Sequence, residues 1–358
     1  MKVLAYNLPA FHRIPENDEW WGEGFTEWDN TRRGKPLFKG HIQPLVPIDN
    51  NYYDLSKTEH VRHQAELAKA YGLYGFVYYH YWFTGHKLFE KPVELYRDEC
   101  KDIDFHYCLC WANERWTRTW NGKLGEVLME QTFGGEEDWE EHLQYFLPFF
   151  QDPRYILRDN SPMLFVYSAK NIPCINEMME YWNRRIKEYG FESIYLVEFI
   201  NTPNPNPSCR YSKAVTEFEP MYTGRYGINP FVKVYRGICK KLKINDLLSY
   251  DYIWKKILAR KRTYSGRENI LGAYTAWDNT PRRGKRACIH LGASPEKFES
   301  YFRKMLINNK RKDASNEFCV INAWNEWGEG PILEPSEQYG YKYLEGVQRV
   351  IGDINQGG

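Results

Sequence analysis

Two glutamates three residues apart, Glu326 and Glu329, lie in the stretch Asn322-Ala323-Trp324-Asn325-Glu326-Trp327-Gly328-Glu329-Gly330. Paired carboxyls can share acid and base work when their surroundings push their pKa values apart. Residues i and i+3 of a continuing strand face opposite sides. Both carboxylates can therefore serve one cavity only if the chain turns between them, and Gly328 permits such a turn. Tryptophan and asparagine interleave with the glutamates. Two carboxyls break a glycosidic bond, aromatic faces stack on the apolar faces of sugar rings, and amides bond their hydroxyls. The chemistry to look for is therefore that of a sugar.

Such a pair needs a frame, and the sequence supplies eight β-type runs separated mostly by helical patterns. The runs are Val3 to Phe11, Tyr74 to Phe83, His106 to Trp116, Met163 to Ala169, Ser193 to Ile200, Ala214 to Tyr222, Asn269 to Trp277 and Phe318 to Trp324. Amphipathic helices are expected over Glu59 to Tyr71, Pro92 to Lys101, Glu136 to Phe150, Ile175 to Tyr189, Pro295 to Asn309 and Tyr341 to Ile351. The proline-rich run Asn201 to Pro207 has no helical pattern. Eightfold alternation of short apolar strands with helices argues for parallel pairing. In a chain of 358 residues it predicts an α/β fold, a single (β/α)8 TIM-type barrel over 1–358. No GxGxxG or Walker loop follows any strand, which argues against a nucleotide-binding sheet.

In such barrels the strand C-termini and the loops after them carry the chemistry. After the first strand come His12, Trp20, Trp21, Glu23, Glu27 and Trp28. The second ends in His80, Tyr81, Trp82 and Phe83, and the third in Trp111, Asn113, Glu114 and Trp116. The fifth adds Glu198, the sixth Glu217 and Glu219, the seventh Trp277, Asp278 and Asn279, and the eighth Asn325, Glu326, Trp327 and Glu329. Any one tryptophan is more simply a core residue, and any one glutamate half of a salt bridge. Their recurrence at strand ends favours an oligosaccharide site. Trp28-Asp29-Asn30-Thr31-Arg32-Arg33-Gly34-Lys35 nearly repeats as Trp277-Asp278-Asn279-Thr280-Pro281-Arg282-Arg283-Gly284-Lys285. These loops could bring arginines near the carboxylate pair to hold an anionic group of a substrate, or serve only as turns.

Composition narrows the alternatives. Aromatics make up 17% of the chain, with 13 Trp and 28 Tyr, and the net charge is +1. That balance carries no nucleic-acid signal. The eight scattered cysteines fit free thiols in a reducing compartment. No signal peptide precedes the first strand and no 18-residue apolar run appears, so a cytoplasmic protein is expected. No HxH or HExxH spacing suggests a metal, no GxSxG elbow suggests a serine hydrolase, and no cofactor is expected. One segment departs from the neutral balance. Between Arg225 and Arg267, 12 Lys or Arg stand against Asp246 and Asp251, which leaves the rest of the chain at −9. This basic insertion after strand six, with a helix expected over Tyr250 to Arg262, is expected to lie over the C-terminal mouth. It is either a solvated excursion or a contact for an anionic membrane or a phosphate-bearing, lipid-linked glycan.

Over nearly its full length the chain resembles the WbsX-like glycosyltransferase family associated with O-antigen and capsular polysaccharide. The resemblance runs through Pro15-Glu16-Asn17-Asp18-Glu19-Trp20-Trp21-Gly22, Gly24-Phe25-Thr26-Glu27-Trp28, Gly40-His41-Ile42-Gln43-Pro44, Tyr78-Tyr79-His80-Tyr81-Trp82-Phe83, Cys110-Trp111-Ala112-Asn113-Glu114 and Trp277-Asp278-Asn279-Thr280-Pro281. That family is similar in turn to glycoside hydrolase family 99, the retaining endo-α-mannosidases built on (β/α)8 barrels. Asn325-Glu326-Trp327-Gly328-Glu329-Gly330 matches their Asn-Glu-Trp-His-Glu-Gly, with Gly328 in the place of histidine. The resemblance implies that Glu329 is the general acid/base and that Glu326 takes the proton of the sugar 2-hydroxyl, giving a 1,2-anhydro intermediate. It implies a carbohydrate-active enzyme that cleaves or transfers a glycosyl unit of a surface polysaccharide. The alternative from another class is a barrel that binds glycan without catalysis. The two differ in whether Glu326 and Glu329 meet in one pocket.

Overall fold

The computed structural model describes residues 1–118, 126–200, 207–261, 266–312 and 316–356. Eight parallel strands close into a barrel: β1 (Lys2–Asn7), β2 (Gly75–Phe83), β3 (His106–Trp111), β4 (Ser161–Val166), β5 (Tyr195–Ile200), β6 (Ala214–Glu217), β7 (Glu268–Tyr274) and β8 (Phe318–Asn322). Each pairs with its neighbour in sequence, and β1 closes the ring on β8 as well as β2, with Ala5 opposite both Ile321 and Phe76. Closure leaves no strand edge unpaired. Strands buried on both faces explain why the apolar runs are nearly continuous.

The main helices are α1 (Thr58–Ala70), α2 (Lys91–Glu99), α3 (Glu136–Phe150), α4 (Ile175–Arg185), α5 (Pro230–Leu242), α6 (Tyr250–Ala259), α7 (Pro295–Lys312) and α8 (Lys342–Gln356). The chain enters α5 through Asn229, whose side chain accepts from the Val232 N–H, with Pro230 in the first turn. Ser249 caps α6 the same way, accepting from the Tyr252 N–H. The expected loop over Asn201 to Pro207 lies almost wholly outside the described residues.

Several strands end earlier than the sequence suggests. The expected runs to Phe11, Trp116, Tyr222, Trp277 and Trp324 stop at Asn7, Trp111, Glu217, Tyr274 and Asn322. The residues beyond leave the ladder yet stay largely covered, as with Phe11, Trp277 and Trp324. Apolar character tracks burial rather than ladder hydrogen bonding, so the pattern runs past the strand ends. Inside the barrel an aromatic plug forms the floor below the site. Tyr6 lies 5.7 Å from Tyr79, 5.4 Å from Phe199 and 5.6 Å from Phe218, and Phe199 stacks on Phe218 at 5.4 Å. Part of the aromatic excess is this core.

The basic segment 225–267 divides into two parts. Its second helix, α6, is the crossover from β6 back to β7. Tyr250, Ile253, Trp254 and Ile257 are buried, and Trp254 stacks between Tyr274 of β7 and Tyr301 of α7 at 5.4 and 5.6 Å. The amphipathic stripe expected to meet a membrane here is therefore spent on the barrel. The exposed apolar face belongs to α5 instead. Between the two helices, Asp246–Ser249 pairs in parallel with Cys288–Leu291, tying the segment to the loop after β7. Replacing Trp254 with Ala should lower stability in urea by about 3–5 kcal/mol, the usual cost of emptying a large aromatic site. A loss under about 1 kcal/mol would mean a surface helix.

Candidate active site

Glu326 and Glu329 line one cavity of about 250 Å³ at the C-terminal ends of the strands. After Asn322 the chain crosses above β1, where Asn325 clamps it. The Asn325 amide accepts from the Leu8 N–H at 2.7 Å and donates to the Leu8 carbonyl at 3.0 Å. A turn follows, in which the Glu329 and Gly330 N–H groups both donate to the Glu326 carbonyl, at 3.1 and 2.9 Å. This turn brings both carboxyls to the same side. The left-handed residue is Gly330, at φ +92°, where a Cβ would come within 2.8 Å of the Asp278 nitrogen. Gly328 has a different use. A Cβ there would collide with Glu27 Oε1 and lie 2.8 Å from Arg282 Nε, so the missing side chain makes room for that ion pair.

Arg282 ties the centre together. Its guanidinium lies 2.7 Å from Glu27, 2.8 Å from Glu329 and 3.4 Å from Glu326. Glu27 starts the short helix Glu27–Arg32, whose cap is a Thr26/Asp29 capping box. Arg282 sits in the helical turn Thr280–Arg283 after β7. The two echo loops therefore flank β8, as their strands do. Their arginines do not both arrive: Arg32 stacks over Tyr52 and Arg33 lies over Phe25. The arginine that does arrive is engaged by the protein's own carboxylates.

Three carboxyls around one buried guanidinium cannot all ionise cheaply. Burial pushes Glu326 up to about 8, Arg282 opposes this, and Glu329 and Glu27 add to it. Burial likewise raises Glu27, against the pull of Arg282. Glu329 stands nearer the rim, with 25% of its side chain exposed against 10% for Glu326. A further carboxyl lies behind the turn. Glu334 accepts from Trp327 Nε1, Tyr53 Oη and Gln64 Nε2, each at 2.7 Å, and burial raises it to about 7. It holds the indole of Trp327 and through it the turn.

Besides Arg282, the rest of the cavity wall is Leu8 and Ala10 after β1, Tyr79 and Tyr81 from β2, Ala112 to Thr117 after β3 except Asn113, Tyr167 after β4, and Phe218 after β6. Trp116 is the tryptophan in this wall, backed by Trp20 at 6.2 Å and Tyr81 at 5.2 Å. Glu114 lies at its edge, while Trp21 sits outside it beneath Arg118.

The other expected residues are structural supports. Trp28, Trp82, Trp111, Trp277 and Trp327 are buried. Trp28 donates to the Tyr53 carbonyl, and Trp82 stacks flat on His142 at 4.3 Å while donating to Asp138. His80 meets His142 at 2.9 Å and is lowered by burial to about 3. His12 bonds the Pro9 carbonyl and is lowered by burial to about 4. Asn113 clamps Ser168 through both its N–H and its carbonyl. Glu198 accepts from the Ser208 and Cys209 N–H groups, and Glu217 and Glu219 are taken by Arg260. Asp278 accepts from Gln43, meets His41 at 2.7 Å and fixes Thr280, while its own N–H donates to the Glu329 carbonyl. Asn279 accepts from the Cys288 N–H.

The reason is the period-two rule. Along β2, Tyr79 and Tyr81 face the barrel axis, so His80 and Trp82 face the helices. The same alternation turns Trp111 outward, against His142 and Trp182. Tyr79 was therefore findable from the pattern that excluded His80. Glu334 had no comparable signal.

An uncharged residue in place of Glu326 tests the buried proton. A carboxyl whose pKa rises from its ordinary value to about 8 on folding keeps its proton in the folded state over that interval. Stability then falls as pH rises from about 4.5 to 8. Denaturant titrations across that range should show a decline that is shallower in Glu326→Gln, the remainder belonging to the other carboxyls raised by burial, Glu334 and Glu27 among them. Equal slopes in the two proteins would contradict a raised Glu326.

The family model described as Glycosyltransferase WbsX matches residues 3–347. Protein WxcX of Xanthomonas campestris pv. campestris is 33% identical over 353 residues, covering 98% of this chain. The chain spans about half the length of the curated relatives it matches, 49% in that case. Among solved structures, the GH99 endo-alpha-mannosidase of Bacteroides thetaiotaomicron aligns over 99% of this chain and 97% of its own, with a TM-score of 0.56 and 11% identity. A glycoside hydrolase-like protein aligns over 98% and 93%, with a TM-score of 0.57 and 14% identity. These two likenesses are of fold.

Proposed function

Because the chain belongs to the Glycosyltransferase WbsX family, we propose that it is a carbohydrate-active enzyme that cleaves or transfers a glycosyl unit with retention, in surface-polysaccharide metabolism. The observation that carries this reading is the meeting of Glu326 and Glu329 in one cavity, under a single arginine and beside Trp116. A barrel that only bound glycan would have no need of two carboxyls in one pocket, one of them raised by burial.

The proposed roles are those that the resemblance to glycoside hydrolase family 99 implies, and they use the pair with its one proton on Glu329 and Glu326 ionised. Glu329, nearer the rim, gives its proton to the glycosidic oxygen as the C1–O bond breaks. Glu326, deeper, takes the proton of the 2-hydroxyl, and O2 closes on C1 as a 1,2-anhydro sugar. In the second half a water or sugar hydroxyl attacks C1 and passes its proton to Glu329. The O2–C1 bond then opens, and O2 recovers its proton from Glu326. A sugar hydroxyl is a weak acid, and a base with a raised pKa takes its proton more readily than an ordinary carboxylate would. Tyr79, Tyr81 and Trp116 supply aromatic surface for the ring.

Screening of α-linked oligosaccharides and lipid-linked acceptors should identify a turned-over glycan. With it, Glu329→Gln should lose roughly 10²–10⁴-fold in kcat/KM, the usual worth of a positioned acid. Wild-type kcat/KM should fall as pH rises through about 8, where the pair loses the one proton that the acid role needs. Turnover unchanged in Glu329→Gln removes it from the acid role. A profile that goes on rising through pH 8 contradicts a proton held by the pair for the acid role.

A further inference from the structure

A second concavity, separate from the carboxylate cavity, lies between α5 and the loop 277–290. It has a volume of about 660 Å³. Seven cations line it: Arg225, Lys233, Arg236, Lys240 and Lys243 from the basic segment, and Arg283 and Arg286 from the loop. Among the described residues the six other than Arg236 form no ion pair. The acid in the wall, Asp246, is taken by Arg236, which also bonds the Gly224 carbonyl. His290 is lowered by burial to about 3 and adds no charge. Uncompensated cations around a concave surface concentrate field, and guanidinium pairs suit phosphate oxygens.

The same helix carries an apolar stripe on its outer side. Phe231, Val234, Ile238 and Leu242, at i, i+3, i+7 and i+11, are 87%, 63%, 51% and 61% exposed. This is helical spacing of one face. Lys241 borders it, while Lys233 and Lys240 lie on the opposite face, toward the cleft, so one helix presents an apolar face and a cationic one. Large apolar side chains gathered on one exposed face mark a contact surface.

We propose that this cleft binds the diphosphate of a lipid-carried glycan, with the hydrocarbon chain of the carrier running round α5 onto its apolar stripe. Cationic cleft and apolar stripe share one helix, which fits a ligand that joins a diphosphate to a long hydrocarbon. A nucleoside diphosphate would leave the stripe without use. The cleft adjoins the carboxylate cavity. Arg283 follows Arg282 directly, and the charge of Arg225 in the cleft reaches Glu114 and Tyr167 in the cavity wall. A sugar on the diphosphate can thus enter the site while its carrier stays at α5. The sugar's fate rests on the proposed glycosyl chemistry, whereas diphosphate binding does not.

The test is calorimetric titration of the whole chain with inorganic pyrophosphate, farnesyl diphosphate and uridine diphosphate at low and high salt. Pyrophosphate should bind and weaken with salt, and farnesyl diphosphate should bind at least about tenfold tighter, as burial of a hydrocarbon chain provides. The exposed pair Arg283→Ala/Arg286→Ala should weaken both at least about tenfold without changing the melting temperature. Phe231→Ser/Ile238→Ser should remove only the farnesyl advantage. Glu329→Gln should bind both like the wild type, so a failure of binding is separable from a failure of catalysis. Absence of saturable pyrophosphate binding, or binding unchanged in the arginine variant, overturns the cleft assignment. Uridine diphosphate binding as tightly as farnesyl diphosphate overturns the lipid carrier.

Discussion

Arg282 is shared by three carboxyls, and the site takes its form from that sharing. One guanidinium within ion-pair reach of Glu27, Glu326 and Glu329 draws together three segments far apart in sequence. With all three carboxyls ionised the cluster would carry two excess negative charges in a largely buried setting, and holding a proton on Glu326 relieves one of them. Glu27 is fully buried and makes two close contacts with Arg282. It therefore acts as the arginine's anchor, leaving the other two glutamates as the carboxyls that face the cavity.

The barrel supplies what this cluster needs. Because the ring closes with β8 between β1 and β7, the loops bearing Glu27 and Arg282 fall on either side of the Glu326 turn. Gly328 leaves space for their ion pair. Asn325 ties the turn to β1, Glu334 secures Trp327, and the Asp278 N–H secures Glu329. Each support is a buried polar contact whose loss would leave a partner unsatisfied, at about 1–3 kcal/mol apiece. The carboxyls are thus held by rigid surroundings rather than by their own loops, which is the arrangement that fixed chemistry requires.

Much of this could be read from the residues alone. The eight strands, their order and the turn between the two glutamates followed from apolar runs and from the geometry of an i, i+3 pair. The repeated Trp-Asp-Asn-Thr motif pointed at the loops that meet. Less legible was which way each side chain faces. His80, Trp82 and Trp111 have the chemistry of a sugar site and the orientation of core residues, because strand phase rather than residue type sets direction. The basic segment misled for a related reason. Two amphipathic helices, α5 and α6, follow each other in one charged stretch, and only packing shows that Trp254 is buried while Phe231 is exposed. Glu334 carries no local signal, since its partners Tyr53 and Gln64 lie more than 250 residues away.

The coupling of the two carboxyls through Arg282 is most directly measured by following the side-chain carboxyl carbon of Glu326 by NMR as a function of pH, in the wild type and in Glu329→Gln. The expected result is a wild-type titration near pH 8 that moves to lower pH when the neighbouring negative charge is removed. An ordinary carboxylate titration near 4.5, or a midpoint that ignores the substitution, would contradict two coupled carboxyls facing one cavity.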